Sequence, residues 1–307
     1  MISVALCTYN GEKYLRQQID SILAQTMPVD EIVVHDDCSS DSTCDILKDY
    51  SRRFPQIRYK RNLSNLGFVM NFESALKECQ GDYIFFSDQD DIWDKDKVKI
   101  SVMYLIESDM YGAFSDGLLI DQNDRPIGET LFSKIHLLPL IKNGILDKYD
   151  FEVLCLIGNY VTGATMVITK SAKDFILPFD NRLYHDVWVA IKLSAVHKLG
   201  RIDRPLISYR IHENQECGLD KVPKYESELL DCFMGNGKSD FLLEGRRRTA
   251  SPIYLCQLKK DERKRISETY RYLYLKNIGN NSVIKNVFQF LFTEIIVYLK
   301  SKTGFRV

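Results

Sequence analysis

Apolar segments typical of β-strands alternate with amphipathic segments typical of α-helices through the first 90 residues of this chain. The predicted strands are residues 2–7, 31–35, 57–59 and 82–86, and the predicted helices between them are 13–24, 41–53 and 68–78. Such alternation predicts parallel βαβ units with right-handed crossovers. In an open sheet of this kind, ligands bind at the carboxyl ends of the strands. The pattern therefore predicts both an α/β fold and the edge of the sheet that would carry a site.

Polar side chains follow each of these four strands directly. The four groups are Thr8-Tyr9-Asn10, Asp36-Asp37, the segment 62–67 and the acidic run at 88–91, which reads DQDD. Unpaired carboxylates at the end of a buried strand are costly, so this run indicates a bound cation. Oxygen ligands suit Mg²⁺ or Mn²⁺, and Mg²⁺ is commonly held by one or two carboxylates plus substrate phosphates. A polar strand-to-helix turn with a helix cap is the alternative interpretation of the acidic run alone.

No glycine-rich phosphate loop follows the first strand. Residues 8–12 read TYNGE, which matches neither GxGxxG nor GxxxxGK[ST]. A dinucleotide dehydrogenase or a P-loop enzyme is therefore disfavoured. If nucleotide phosphates bind, a cation at Asp88 and Asp90 can neutralise them instead.

The chain becomes less regular beyond residue 90. Further strands are predicted at 113–121, 165–169 and 204–210, a helix at 185–197, and a loop and helix insertion at 132–149. After about residue 220 the chain becomes helical and rich in charge. We therefore predict a domain at 1–220 and a helical C-terminal region at 221–307.

Composition disfavours several other classes of protein. A net charge of −1 over 307 residues gives no argument for binding nucleic acid. The eight cysteines lie far apart without zinc spacing and no secretory signal is recognisable, so a reduced cytoplasmic protein without structural zinc is expected. Residues 283–306 contain an apolar stretch with basic flanks that is too short to span a membrane. We expect it to make a peripheral contact with the inner face of the plasma membrane, or to pack on protein, as in a homodimer.

Four motifs resemble, in order and spacing, the inverting nucleotide-sugar glycosyltransferases of family 2. They are VALCTYNGE at 4–12, VVHDDCSSDST at 33–43, NLSNLGFVMN at 62–71 and GDYIFFSDQDDIW at 81–93. The resemblance implies the GT-A fold, a Rossmann-like, mostly parallel central sheet flanked by helices. The DQDDIW, HDVW and YRIH segments look most like bacterial rhamnosyltransferases that build surface polysaccharide such as capsule or O-antigen.

The resemblance also implies roles for individual residues. Asp186 would be the catalytic base, and Mg²⁺ or Mn²⁺ would be held by Asp88, Asp90 and His212. The residues expected to contact the nucleotide sugar are Thr8, Tyr9, Asn10, Glu12, Asp36, Asp37, Asn65, Gly67, Asp88 and Gln89. Two positions depart from the family pattern, because His35 replaces an aliphatic residue and Cys38 replaces a glycine.

The expected reaction is an inverting sugar transfer, in which a cation stabilises the leaving diphosphate and a carboxylate takes the acceptor proton. The expected donor is dTDP-rhamnose, with a UDP-sugar (Glc, Gal or GlcNAc) as the alternative, and the expected acceptor is a growing, lipid-linked cell-surface glycan. Other classes are a non-catalytic nucleotide-sugar-binding assembly subunit and a nucleotidyltransferase. A glycoside hydrolase is more distant, because its paired acids need neither metal nor nucleoside pocket. Trp93 and Trp188 could stack on a sugar or pack internally, and Arg210 could reach the diphosphate.

Overall fold

The computed structural model describes residues 1–135, 137–142, 160–181, 183–194, 196–213 and 215. The chain divides into two compact units, one of residues 1–134 with 161–216 and the other of residues 135–160 with 217–307. Nearly all described residues belong to the first unit. The predicted C-terminal region at 221–307, including the apolar stretch in 283–306, lies outside the described residues.

The first unit is an α/β structure built on a nine-stranded sheet. Its strands are β1 (Ile2–Thr8), β2 (Glu31–Asp36), β3 (Ile57–Arg61), β4 (Tyr83–Ser87), β5 (Ile92–Trp93), β6 (Gly112–Ile120), β7 (Pro126–Thr130), β8 (Val167–Thr169) and β9 (Leu199–Arg210). Its helices are α1 (Leu15–Leu23), α2 (Thr43–Arg53), α3 (Phe68–Glu78), α4 (Lys97–Ser108), α5 (Leu131–Lys134), α7 (Lys170–Ile176) and α8 (His185–Ser194). Helix α6 (Leu137–Lys142) belongs to the second unit.

The strand order is β3-β2-β1-β4-β8-β6-β9-β5, with β7 paired to β6. Strand β1 pairs in parallel with β2 and β4, and β2 pairs in parallel with β3. Strand β8 runs antiparallel to both β4 and β6, whereas β6 and β9 are parallel. The predicted α/β fold with parallel βαβ units is therefore confirmed in the first half of the unit. The second half is mixed, because the short strands β5 and β8 are placed by pairing with distant partners and not by local pattern.

Burial along the strands explains their order. Every residue of β1 and β2 is buried, as expected for parallel strands covered on both faces, and α3 packs against both strands. Strand β3 lies at the edge and exposes Arg58, Lys60 and Arg61. Charged side chains on an edge strand discourage pairing with other chains.

Glu31, at the start of β2, joins three strands and a loop. Its carboxylate accepts hydrogen bonds from the Ser3 hydroxyl, the Gln80 backbone N–H and the Arg58 guanidinium. Burial alone would raise the pKa of the Glu31 carboxyl, but these hydrogen bonds together hold it below its ordinary value. The ionised form is therefore the one that the folded state stabilises.

Several predicted boundaries differ from the structure. Strand β9 begins at Leu199 and not at 204, and residues 163–165 form a short 3₁₀ turn before β8. Strands β5 and β7 were not predicted, because they have only two and five residues. Among the described helices, none combines the length and apolar character needed to cross a membrane.

The carboxyl ends of the first strands meet at one edge of the sheet, as predicted. Thr8, the last residue of β1, pairs with Asp36, the last residue of β2, which pairs with Arg61, the last residue of β3. On the other side of β1, Leu6 pairs with Ser87, the last residue of β4. The loops after these four strands therefore emerge side by side.

Candidate active site

Asp36, at the end of β2, is fully buried and saturated with protein donors. One carboxylate oxygen accepts bonds from the hydroxyls of Thr8 at 2.9 Å and Ser39 at 2.5 Å. The other accepts the Ser39 backbone N–H at 2.9 Å and the Cys44 thiol at 3.4 Å. Asp36 and Thr8 therefore fix the loop between β2 and α2, and the loop lies between them and solvent.

Asp37 holds a second loop, residues 62–67 between β3 and α3. Its carboxylate accepts bonds from the Asn62 side-chain amide and the Leu66 N–H, both at 2.8 Å, and from the Gly67 N–H at 2.9 Å. Asn65 supports the same turn, because its side-chain oxygen lies 3.0 Å from the Gly67 nitrogen. Gly67 has a positive φ of 78°, which side chains other than glycine rarely adopt. Asp37 thus fixes the loop between β3 and α3.

Asn10 and Glu12 connect the first loop to the start of α2. The Asn10 side-chain oxygen accepts the Ser40 N–H at 2.8 Å, and the Glu12 carboxylate accepts the Ser42 N–H at 2.9 Å. Asn10 has a φ of 48°, a conformation that asparagine tolerates better than most residues. In this structure both side chains satisfy backbone donors near a helix N-terminus, where such donors lack helical partners.

Tyr9 and Gln89 join the first loop to the acidic run. The Gln89 amide accepts the Tyr9 N–H at 2.8 Å and donates to the Tyr9 carbonyl at 2.9 Å. Gly11 makes this contact possible, because a Cβ there would lie 2.1 Å from the Gln89 Oε1. The Tyr9 side chain is 42% exposed. Its backbone is therefore fixed while its ring faces solvent.

Cys38 and His35, the two departures from the family pattern, both lie at the carboxyl end of β2 or in the loop after it. Cys38 has a φ of 68°, the left-handed conformation that the usual glycine would adopt without strain. Its thiol lies near Arg61, whose guanidinium donates to the Ser39 carbonyl at 2.8 Å. His35 is buried in β2, with its Nε2 3.4 Å from the Glu78 carboxylate.

The Asp88 carboxylate accepts no hydrogen bond from the described residues, whereas the Asp88 carbonyl accepts the Ser87 hydroxyl at 3.1 Å. Burial raises the pKa of its carboxyl to about 7, and the negative charges of Asp90 and Asp186 add to the increase, against the opposing effect of Lys97. Asp186 therefore lies within electrostatic range of the acidic run, although almost 100 residues separate them. Binding of a cation or a proton would relieve this repulsion, which solvent also screens because Asp88 is partly exposed.

Asp90 and His212 come together from β4 and the end of β9. The Asp90 Oδ2 and the His212 Nε2 are 2.8 Å apart. Two ligands at adjacent positions around one octahedral Mg²⁺ would be separated by roughly 2.9 Å, given bonds of about 2.0–2.1 Å. This pair therefore fits part of a metal site. In the described parts of the chain, no group of three or more His, Cys, Asp or Glu side chains is arranged to hold a metal.

Asp91 and Lys97 form a buried layer behind Asp90. Asp91 is 1% exposed and accepts the Arg210 N–H at 3.1 Å, but its Oδ2 has no hydrogen-bond partner. The Lys97 ammonium is buried, donates to the Ala164 carbonyl at 2.6 Å and lies 4.1 Å from the centre of the Trp93 ring. Burial lowers the pKa of Lys97 to about 7, although Asp91 and Asp88 oppose that shift. Sequence reasoning missed Lys97, for which the only signal was a lysine following an acidic run.

The interpretation of Arg210 as a diphosphate contact is not supported, because its side chain is fully buried and bonded to protein groups. Trp93 and Trp188 are 4% and 5% exposed, so both pack internally and neither offers a face to a sugar. The Trp188 indole N–H donates to the Ile176 carbonyl at 2.8 Å. Packing is therefore the correct interpretation for these two tryptophans.

Asp186 lies in the first turn of α8 and is partly exposed. Its carboxylate accepts the Val187 N–H at 2.7 Å. His185, beside it, is buried, and its ring lies 4.1 Å from that of Phe72 in a stacked arrangement. Burial lowers the pKa of His185, so the ring is neutral at pH 7. A Cβ on Gly163 would lie 2.5 Å from the His185 Nε2. The absence of a side chain at Gly163 therefore leaves room for the His185 ring at the start of α8.

Residues 3–174 match the family described as Glycosyl transferase family 2. A dTDP-rhamnosyl transferase of Shigella flexneri is 29% identical over 236 residues, which cover 69% of this chain and 73% of that protein. A putative teichuronic acid biosynthesis glycosyltransferase of Bacillus subtilis is 32% identical over 127 residues, or 41% of this chain. The chain spans 50% of the length of that relative.

Among solved structures, S. aureus TarS residues 1–349 in complex with UDP-GlcNAc superposes with a TM-score of 0.55 at 17% identity. The superposition covers 98% of this chain and 92% of that one. At this identity the likeness concerns the fold, and it confirms the predicted GT-A architecture. With more than half of its length matched, the chain belongs to glycosyl transferase family 2 and is a glycosyltransferase.

Proposed function

We propose that this protein is a metal-dependent inverting glycosyltransferase that transfers a sugar from a nucleotide diphosphate donor to a cell-surface glycan. The observation that carries the proposal is the charge cluster at the carboxyl edge of the sheet. Asp90 lies 2.8 Å from His212, and the charges of Asp90 and Asp186 both act on Asp88. This proximity supports the proposal of a cation at the acidic run and of a separate carboxylate, Asp186, as the base.

The residues have distinct chemical tasks in this proposal. Asp88, Asp90 and His212 would hold Mg²⁺ or Mn²⁺, with diphosphate oxygens completing the coordination. The cation would stabilise the negative charge that develops on the leaving diphosphate. Asp186, partly exposed at the start of α8, would accept the proton of the acceptor hydroxyl. Attack in a single displacement inverts the anomeric carbon.

The nucleoside is proposed to bind over the loops after β1 and β2. Asp36 and Asp37 already accept several protein hydrogen bonds each, so we assign them to shaping the pocket. The backbone N–H groups of Tyr9, Asn10 and Gly11 are also bonded within the protein, so the exposed ring of Tyr9 is the group left to face the base. Tyr9 presents an aromatic face on which a base can stack.

The proposed donor is dTDP-rhamnose, supported by the DQDDIW, HDVW and YRIH segments and by the similarity to the Shigella rhamnosyl transferase. A UDP-sugar is the second candidate, because the structurally similar TarS binds UDP-GlcNAc. The acceptor is proposed to be a lipid-linked glycan reached at the inner face of the membrane. The names of the relatives, one in teichuronic acid biosynthesis and one a rhamnosyl transferase, support a surface glycan.

The test measures release of nucleoside diphosphate from dTDP-rhamnose, UDP-GlcNAc, UDP-Glc and UDP-Gal, with Mn²⁺, with Mg²⁺ and with EDTA. Crude lipid-linked glycan supplies the acceptor. We expect release only with metal, and a loss of roughly 10²–10⁴-fold in the Asp186→Asn variant, the range for removal of a general base. Asp90→Asn should lose activity together with metal affinity.

Asp45→Asn is the matched control, because its carboxylate is 79% exposed and its ion-pair partner among the described residues is Lys48 on the surface of α2. It removes the same charge and should retain full activity. Equal activity of Asp186→Asn and Asp45→Asn would disprove the assignment of the base. Release of pyrophosphate from a nucleoside triphosphate would instead indicate a nucleotidyltransferase. Donor binding without transfer to any acceptor would indicate a non-catalytic subunit.

A further inference from the structure

Arg210, the last residue of β9, occupies the interior of the protein with its whole side chain. It is 0% exposed, which is unusual for arginine. Its Nε donates to the main-chain carbonyl of Asp90 at 2.8 Å. The guanidinium also lies 4.3 Å from the centre of the Tyr14 ring. The side chain thus bonds directly to the backbone of the acidic run.

The rest of the guanidinium attaches this contact to two other elements. One terminal nitrogen donates to the Gln17 side chain on α1 at 2.8 Å. The other donates to the Asp121 carbonyl at 3.3 Å and to the Asp124 carboxylate, both in the turn between β6 and β7. Four of the five N–H donors of the fork therefore have protein acceptors.

The backbone of Arg210 extends the same network to the metal pair. Its N–H donates to the buried Asp91 carboxylate at 3.1 Å, and its carbonyl accepts the Gln215 side-chain amide at 2.6 Å. The Gln215 side-chain oxygen in turn accepts the His212 N–H at 3.3 Å. Arg210 therefore bonds to Asp90 and Asp91 and also to Gln215, the residue that holds the His212 backbone.

We propose that Arg210 is a positioning residue that sets the distance between Asp90 and His212, and hence the geometry of the cation site. It touches neither donor nor acceptor. Its planar fork bonds α1, the β6–β7 turn and the acidic run in one fixed arrangement, so a movement of any of these elements shifts Asp90. The catalytic part of this proposal rests on the proposed function, but the structural part does not.

Lysine cannot replace this arrangement. It carries the same charge but has three donors on a single flexible nitrogen, so it cannot reach acceptors on three elements in one plane. A lysine that keeps the ion pair to Asp124 would release the Asp90 carbonyl. Arg210→Lys therefore keeps the positive charge at residue 210 but removes the planar set of hydrogen-bond donors.

The first experiment reads the position of the acidic run without donor or metal. Trp93 lies two residues after the run, pairs with β9 and is 4% exposed. The chain has two tryptophans, so a Trp188→Phe background makes Trp93 the sole indole fluorophore. In that background we expect Arg210→Lys to raise acrylamide quenching of Trp93 by about twofold or more, because local opening exposes groups that are buried in the native state.

The second experiment reads the metal site in the otherwise unchanged chain, with Mn²⁺ and UDP as probes in calorimetry and the release assay as the catalytic measurement. We expect Arg210→Lys to weaken Mn²⁺ binding and to lower kcat by about 10–100-fold, because a displacement of about 1 Å in a site can cost that much. Gln17→Ala removes the bond from Arg210 to α1 and the bond from Gln17 to the Asp124 carboxylate at 3.1 Å, but it retains both partners of the Arg210–Asp124 ion pair, so it should give a smaller loss of the same kind. This variant also serves if Arg210→Lys fails to fold.

Thr169→Ala provides a control for general destabilisation. The Thr169 hydroxyl caps α7 by accepting the Ala172 N–H at 3.2 Å, and Thr169 pairs with Tyr83 at the start of β4, the end of that strand opposite the acidic run. Loss of this cap should lower stability without changing Trp93 quenching or kcat. Unchanged Trp93 quenching and unchanged Mn²⁺ binding in both Arg210→Lys and Gln17→Ala would overturn the proposal. If quenching rises but the wild-type protein releases no nucleoside diphosphate, the positioning role stands and the proposed function fails.

Discussion

The contact between Gly11 and Gln89 allows a prediction in which one substitution changes sign with its background. A Cβ added at Gly11 would lie 2.1 Å from the Gln89 Oε1, 2.5 Å from its Cδ and 3.2 Å from its Cγ. These are the three heavy atoms nearest to the added carbon, and all belong to one side chain. In Gly11→Ala the Gln89 side chain must therefore leave, and its two hydrogen bonds to the Tyr9 backbone are lost.

The expected cost follows from those two bonds. Each neutral hydrogen bond contributes about 0.5–1.5 kcal/mol, and the lower half of that range applies because both bonds are exposed, so the loss is about 1–2 kcal/mol. Replacing glycine by alanine also restricts the unfolded chain and returns about 0.4–1 kcal/mol. The net destabilisation of Gly11→Ala should therefore be about 0–1.6 kcal/mol, with a central value of about 0.8 kcal/mol. In a Gln89→Ala background the obstacle is gone, and the same change should stabilise the protein by about 0.4–1 kcal/mol.

The assay is urea unfolding of four proteins: wild type, each single variant and the double variant. The double-mutant cycle isolates the interaction between the two positions, which we expect to be about 1–2 kcal/mol. Thermal shift with UDP and dTDP provides a second measurement, since Tyr9 is a proposed nucleoside contact. Equal destabilisation by Gly11→Ala in both backgrounds would refute the reasoning, because it would mean that the methyl group meets something other than Gln89.

Three further predictions concern single sites. Gly163→Ala should lower transfer activity and stability together, because its Cβ would displace the His185 ring beside Asp186; unchanged kinetics would contradict this. Glu31→Gln should lower the free energy of unfolding at neutral pH. In urea unfolding, the difference from wild type should shrink as the pH falls through the folded-state pKa of Glu31, which lies below its ordinary value. A constant difference down to pH 3 would contradict this prediction. Cys38→Gly should stabilise the protein by about 0.5–1 kcal/mol in the same measurement, because relief of a φ of 68° outweighs the added freedom of the unfolded chain; a loss of stability would contradict it.

The location of the site could be predicted because it follows from chain direction. Parallel strands bring their carboxyl ends to one edge whatever their side chains are, so the residues after β1, β2, β3 and β4 had to meet. The spacing of apolar residues was sufficient to find those strands within one or two residues. The order of the remaining strands was not accessible in this way, because β8 owes its place between β4 and β6 to pairing across the chain.

The direction of individual side chains could not be predicted from the sequence. Asp36 and Asp37 were grouped with Asp88 because all are carboxylates at strand ends. In the structure the first two accept protein donors, whereas the Asp88 carboxylate accepts none from the described residues. The charge of Arg210 alone suggests a phosphate contact, but its guanidinium is buried and already donates to protein acceptors. The sequence contains the groups, but only the fold determines which of their hydrogen bonds are already made.

That distinction supports a bound cation more strongly than the number of carboxylates does. A carboxylate that the fold itself uses is supplied with donors, as Asp37 is by three N–H groups. Asp88 stands near two other acidic groups, and the charge of the buried Lys97 is itself disfavoured by burial. Asp88 is partly exposed, so solvent screens its charge in part, but binding a proton or a cation would still relieve the repulsion from its acidic neighbours. Lys97 and Arg210 support the acidic run, whereas the Asp88 carboxylate has no hydrogen-bond donor among the described residues. This arrangement is the one expected if a cation binds at Asp88 together with the substrate.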